Sequence, residues 1–140
     1  MIHLLDTNVF MHLANEAPGH RNIERHIELA GAASLRASAI TLAELRTKVL
    51  RGNGRVKRIH LAKLAAIVSK LVVEDFTVLA AEHAASIMAL LEATGRRNTW
   101  PDVLIAGHAA SAGYRLVTDD AALLRTPGLD AVNWRLSAME

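Results

Sequence analysis

Acidic residues stand at four places where apolar runs stop: Asp6, Glu44, Asp102 and the pair Asp119–Asp120. Ile2–Leu5 leads straight into Asp6, and Leu116–Val117 leads through Thr118 into Asp119 and Asp120. Glu44 and Asp102 each fall in the first turn of an expected helix. In an open parallel α/β sheet the carboxyl ends of the strands share one edge, and ligands bind in the crevice there. Acids distant in sequence can therefore meet. Crowded carboxylates repel one another and raise their own pKa values unless a cation sits among them. Oxygen-only ligands suit Mg²⁺ or Mn²⁺, and the chemistry implied is metal-assisted attack on a phosphate ester.

Each position also has a plain structural use. Asp6 is a good helix N-cap, although one carboxylate oxygen can cap while the other binds metal. Asn8 could help hold that carboxylate or position a phosphate. Glu44 completes a capping box with Thr41. Asp102, after Pro101, suits the positive end of a helix dipole, but the apolar run Val103–Gly107 behind it places it at the mouth of the fold. One acid of Asp119–Asp120 is enough to cap a short helix, and Thr118 offers a hydroxyl to orient a carboxylate or water. Taken together, four such positions point to a site.

The elements that must position these groups alternate. Ile2–Leu5 reads as a strand, followed by a helix over about Val9–Ala14, broken at Pro18–Gly19. Ile23, Ile27 and Ala30 have helical spacing, closed by Gly31. Leu35–Ile40 is a second strand, and a helix opens at Thr41. Gly52-Asn53-Gly54 marks a turn. Apolar residues from Ile59 to Leu71 predict a long helix, and Val72–Val73 a short strand. A helix from Phe76 or Thr77 ends near Gly95, and another opens at Pro101 and stops at Gly113. Tyr114–Thr118 is a strand, Asp119 or Asp120 caps a short helix, and Val132–Trp134 is an edge strand. This order predicts an α/β fold with a parallel sheet and helices on both faces. No linker divides residues 1–140, which predicts one domain.

Composition removes several function classes. Of 140 residues 51% are apolar, enough for a core at this size. No apolar run reaches the roughly 18 residues of a membrane span, and no secretory leader is visible. The chain has no cysteine, which excludes disulfides and thiolate metal sites and fits the cytoplasm. The seven histidines lack the paired helical spacing of zinc proteases, and His108, inside an apolar helix, reads as buried and hydrogen-bonded. No Gly-x-Ser-x-Gly supports a nucleophilic triad. The net charge is +2, unevenly spread. Arg46, Lys48, Arg51, Arg55, Lys57 and Arg58 run without an acid among them, and Arg96–Arg97 precede Asp102. Basic patches beside an acidic, metal-holding site suit a polyanion that must reach a cation. Trp100 and Trp134 could stack on bases, but packing is the commoner use.

These residues carry a family resemblance. Leu4-Leu5-Asp6-Thr7-Asn8-Val9-Phe10, Ser38-Ala39-Ile40-Thr41-Leu42-Ala43-Glu44-Leu45, Asp102-Val103-Leu104-Ile105-Ala106-Gly107-His108-Ala109 and Leu116-Val117-Thr118-Asp119-Asp120 resemble PIN-domain ribonucleases, and within them the VapC-type toxins of bacterial toxin–antitoxin pairs. The resemblance implies a three-layer α/β/α fold with a short, mainly parallel sheet. It implies an endoribonuclease dependent on Mg²⁺ or Mn²⁺ that restrains translation by cutting tRNA, rRNA or mRNA. By position, Asp6, Glu44, Asp102 and Asp120 would form the acidic, metal-holding site, with Asp6 and Asp102 in direct contact with the ion. Thr7, Asn8, Thr118 and Asp119 would support it, and Arg46, Lys48, Arg51, Arg96 and Arg97 would grip RNA. A homodimer and a small VapB-like antitoxin are the implied partners. The family's aromatic just after its last acid is replaced here by Leu123 or Leu124, a matter of packing.

Two rivals stand beside this reading. A non-catalytic RNA- or protein-binding module on the same fold predicts a missing carboxylate, and none is missing. A phosphoacceptor receiver domain expects paired acids after the first strand and a lysine at a late strand end, where this chain has a lone Asp6 and no lysine after Lys70.

Overall fold

The computed structural model describes residues 1–51 and 55–136; the expected Gly52-Asn53-Gly54 turn and the side chains of Arg55 and Lys57 lie outside the described residues. Five strands form one sheet: β1 (His3–Leu5), β2 (Leu35–Ser38), β3 (Val72–Glu74), β4 (Arg115–Val117) and β5 (Ala131–Val132). Their order is β3-β2-β1-β4-β5 and every pairing is parallel. The chain moves from β1 to β2 and β3 on one side, then returns to β4 and β5 on the other. The switch point thus falls between β1 and β4, where such sheets open a crevice at the strands' carboxyl ends. Asp6 leaves one of these strands and Thr118 the other.

Adjacent residues in these strands turn to opposite faces, as a period of two requires. Leu5 and Val117 pack with Val9, Phe10, Ile23, Leu45, Leu64 and Trp134. Leu4 and Leu116 pack with Ala84, Met88, Leu91, Val103, Ile105 and Leu123. Apolar residues in succession are what a sheet covered on both faces needs. Helices α1 (Thr7–Ala14), α2 (His20–Ala30) and α4 (Arg55–Val68) cover the first face; α5 (Val78–Ala93) and α6 (Trp100–Ala112) cover the second. Helix α3 (Ala39–Leu50) gives Leu45 to the first core and turns Ile40 toward the second. The fold is the expected three-layer α/β/α arrangement. Of the two leucines near the place of the family's aromatic, Leu123 is fully buried in the short α7 (Ala121–Leu124). No helix among the described residues is long and apolar enough to cross a membrane.

One boundary differs from expectation in a way that matters to the site. Strand β2 ends at Ser38, not Ile40, because the Ser38 hydroxyl accepts from the Ile40 N–H and opens α3 there. The Thr41-x-x-Glu44 capping box is therefore not formed. Thr41 is fully buried inside the helix and Glu44 lies in its second turn.

Gly107 sets the spacing of α5 and α6. A Cβ on it would lie 2.5 Å from the Ala84 nitrogen and 2.7 Å from the Ala80 carbonyl oxygen. Those are backbone atoms and cannot swing aside. Gly107→Ala must push α6, the helix that carries Asp102, away from α5. Overpacking costs about 1–3 kcal/mol, against a gain of up to about 1 kcal/mol in helix propensity. We expect a net loss of about 1–2 kcal/mol, read in a thermal melt as a Tm lower by roughly 3–8 °C.

Candidate active site

Asp6 caps α1 as its type allows, and does more. Its side chain is 1% exposed. Oδ1 accepts from the Thr7 N–H at 2.7 Å, and Oδ2 accepts from the Thr118 hydroxyl at 2.9 Å. One carboxylate therefore ties the exit of β1 to the exit of β4 across the switch point. Asn8, expected to help hold it, is exposed, and the two threonines supply the donors instead. Burial, then the charge of Asp102, and to a smaller extent that of Glu44, push the Asp6 pKa from 3.8 up to about 7, against the pull of its two hydrogen bonds.

Thr7 also fixes the second acid. Its hydroxyl donates to Glu44 Oε1 at 2.6 Å and lies 3.1 Å from the Thr41 hydroxyl. Glu44 is thus held by a residue adjoining Asp6, which its second-turn position in α3 permits. Asp102 stands in the first turn of α6. Thr99, the N-cap residue, makes no side-chain cap; its hydroxyl donates to Asp102 Oδ2 at 2.9 Å. Burial and the charges of Asp120 and Asp119 raise the Asp102 pKa, and the Thr99 bond opposes them.

The Asp119–Asp120 pair divides its roles. Asp120 Oδ1 accepts from the Ala122 and Leu123 N–H groups and caps α7. Its Oδ2 accepts from the Asn98 side chain at 3.1 Å, and its own N–H donates to the Thr118 hydroxyl. Asp119 turns elsewhere: Oδ2 sits 2.9 Å from His12 Nε2 and 2.9 Å from Arg135 Nη1. Burial alone would raise its pKa, but Arg135 and His12 together hold it below the usual value. Arg135 also donates to the Pro18 carbonyl through Nε and Nη2. Asp119 is therefore the anchor of a clamp between the β4 exit and the α1–α2 turn, with its charge already matched. The sequence reading did not find Asn98, Thr99, His12 or Arg135. Only the polar Asn98–Thr99 pair just before Asp102 carried a signal.

The basic residues separate too. Arg46 and Arg51 are exposed and Lys48 half-buried, all in α3 or at its end and beyond Glu44. Arg97 is exposed, whereas half-buried Arg96 donates to the Arg125 carbonyl at 3.4 Å. Trp134 is buried against the rings of His26 and His3, with centroids 5.3 and 5.0 Å away, so it packs rather than binds.

Asp6, Glu44, Asp102 and Asp120 thus reach one edge, linked through Thr7, Thr118, Thr99 and Asn98. Among the described residues no group of three or more His, Asp or Glu side chains is placed so as to hold an ion. Mg²⁺ does not need such a group, since it keeps several waters and takes one or two carboxylates directly. A buried carboxylate whose partners are hydroxyl and amide donors, with further acids raising its proton affinity, is a donor set that fits a hard divalent cation. The raised pKa has a stability consequence. Between 3.8 and about 7 the folded chain holds a proton on Asp6 that the unfolded chain releases, so metal-free stability falls as pH rises through that window. The full shift corresponds to about 4 kcal/mol. In EDTA at pH 8, Asp6→Asn should be the more stable protein by up to that amount in urea melts. At pH 4 the gain should vanish, and a saturating divalent cation should narrow it at pH 8.

A PIN-domain family model matches residues 3–129. The chain is 31% identical over 137 residues to Ribonuclease VapC2 of Rickettsia felis, covering 96% of this chain and 98% of that protein. Among solved structures, VapBC2 from Rickettsia felis bound to a DNA fragment from its promoter superposes with a TM-score of 0.81 at 30% identity, covering 96% of this chain and 99% of that one. DNA-bound VapBC from Salmonella typhimurium superposes with a TM-score of 0.78 at 29% identity, covering 96% and 98%. The match spans the elements that deliver Asp6, Glu44, Asp102 and Asp120, and the chain belongs to the PIN-domain family.

Proposed function

We propose that this protein is a metal-dependent endoribonuclease, the toxin of a toxin–antitoxin pair, hydrolysing phosphodiester bonds in tRNA, rRNA or mRNA. The observation that carries the reading is Asp6: a buried carboxylate with its pKa pushed up to about 7 beside Asp102 and Glu44, at the switch point of a parallel sheet. Such an arrangement is costly without a cation and useful with one. PIN-domain nucleases generally work with a divalent metal; here we take it to be Mg²⁺, with Mn²⁺ as a substitute.

Asp6 and Asp102 are the direct ligands in this reading. When bound, the ion supplies a water of lowered pKa and neutralises charge on the phosphate. The chain's own residues do the rest. Thr7 and Thr118 hold the Asp6 carboxylate in one orientation between the ends of β1 and β4. Thr99 holds Asp102. Glu44 Oε2 and Asp120 Oδ2, on either side, orient water or a second ion. Exposed Arg97, with Arg46, Lys48 and Arg51 farther along α3, attracts the polyanionic backbone. The VapBC complexes among its relatives support a small VapB-like protein as the antitoxin, and a homodimer is the expected assembly.

The experiment is cleavage of total RNA by the purified protein with Mg²⁺, with Mn²⁺ and with EDTA. Discrete fragments are expected with either metal and none with EDTA. Asp6→Asn and Asp102→Asn should lower the rate by roughly 100-fold or more, and Thr118→Val by about 10–100-fold as the group orienting Asp6. Asp119→Asn separates the paired acids: it should keep most activity while losing stability, and Asp120→Asn should lose activity. Cleavage that persists in Asp6→Asn would remove this site from the reaction. RNA binding without cleavage in either metal would favour the non-catalytic module.

A further inference from the structure

We propose that Trp100 is a stacking platform for an RNA base next to the scissile phosphate, with Arg97 holding the neighbouring backbone; this rests on the ribonuclease reading above. The chain has five aromatic residues among Phe, Trp and Tyr. Phe10 and Trp134 are buried. Phe76 is half-buried and meets the His108 ring edge-on. Tyr114 is half-buried and donates its hydroxyl to Glu74 at 2.6 Å. Trp100 alone is exposed, at 54%, and no other ring stacks on it among the described residues.

Its setting argues against an idle surface residue. Trp100 is the first residue of α6, so it opens the same helical turn that carries Asp102, with its ring leaving the axis on another side from that acid. The segment bearing it is tied to the acids on both sides. Asn98 donates to Asp120 and Thr99 donates to Asp102. The Asn98 side-chain oxygen also accepts from the Thr99 N–H at 2.8 Å, and Pro101 fixes the backbone directly after the ring. Upstream, the Arg96 N–H donates to the Leu91 carbonyl at 2.9 Å and its side chain reaches the Arg125 carbonyl. Arg97 is left exposed between these ties. A large exposed π-face on a backbone segment tied to the acids, next to an exposed guanidinium, is what single-stranded nucleic acid needs. Bases stack on aromatic faces whatever their identity, and phosphates meet the cation. The indole would set where along the strand the phosphate enters the site.

The test uses a mixed-sequence 12-nucleotide single-stranded RNA, labelled at one end, and a set in which one abasic position is walked along it. Binding is measured with Ca²⁺ in place of Mg²⁺, cleavage with Mg²⁺. Trp100→Ala should weaken binding roughly 5- to 100-fold, raising KM more than it lowers kcat, and Trp100→Phe should restore most of the loss where Trp100→Leu does not. For the wild type, one abasic position should weaken binding sharply; in Trp100→Ala that sensitivity should vanish. If Trp100→Ala binds and cleaves as the wild type does, the platform is refuted and the nuclease reading stands. If the loss in Trp100→Ala accompanies a change in oligomeric state by light scattering, Trp100 is a contact between copies and the proposal fails. If the wild type itself neither binds nor cuts any of these RNAs nor total RNA, the nuclease reading falls and the proposal with it.

Discussion

A carboxylate removed from water must find donors, and Asp6 finds two, from opposite sides of the switch point. The Thr7 N–H belongs to the helix that follows β1, and the Thr118 hydroxyl to the end of β4. Neither donor carries charge. The carboxylate is therefore held in place without being neutralised, and burial together with Asp102 and Glu44 drives its proton affinity up. A lysine or arginine there would have stabilised the metal-free fold and occupied the same lone pairs that an ion needs. The charge that is matched lies one residue from Asp120: Asp119, against Arg135 and His12. The fold places its cation on the acid that supports the loop and withholds it from the acids that face the crevice.

Threonine hydroxyls carry much of this arrangement. Thr7 serves Glu44, Thr118 serves Asp6 and receives the Asp120 N–H, and Thr99 serves Asp102. A hydroxyl both donates and accepts, so one threonine can join an acid to a second polar group without adding charge. Thr99 shows the cost. An N-cap threonine normally accepts from the first-turn N–H groups; this one turns its proton to Asp102 and makes no cap. Helix α6 forms nonetheless because its apolar length is buried and Gly107 lets it lie close against α5. Tertiary packing replaces what the cap gives up.

The strand-end acids were legible because parallel topology brings strand ends together whatever the loops do. A run of apolar residues ending in Asp, twice, with a third Asp opening an apolar helix, is enough to predict one edge. His108 was legible for a similar reason: an imidazole within a buried helix needs a partner, and it finds the Ser38 hydroxyl at 2.9 Å. Glu44 was read both as a member of the acidic site and as a capping residue, because Thr-x-x-Glu has a local explanation. The helix starts three residues earlier on Ser38, whose cap competes with the Thr41 one and wins by lying directly at the strand's end. The choice between Asp119 and Asp120 rested on the family pattern, since the residue types are identical. The partner that decides it physically is Arg135, near the other end of the last strand, and no local rule reaches that far.

Thr41 shows how the same residues serve both readings. Misread as a cap, it is a buried hydroxyl 3.1 Å from that of Thr7, and Thr7 links Asp6 to Glu44. A valine there would fit the core and preserve α3, but would take that polar neighbour from the Thr7 oxygen and leave its bond to Glu44 Oε1 to hold the hydroxyl. The threonine pair and the Thr7–Glu44 bond together join α1 to α3 at the site. Loss of one hydroxyl would therefore fall on the relative placement of two acids, Asp6 and Glu44, more than on the fold that carries them.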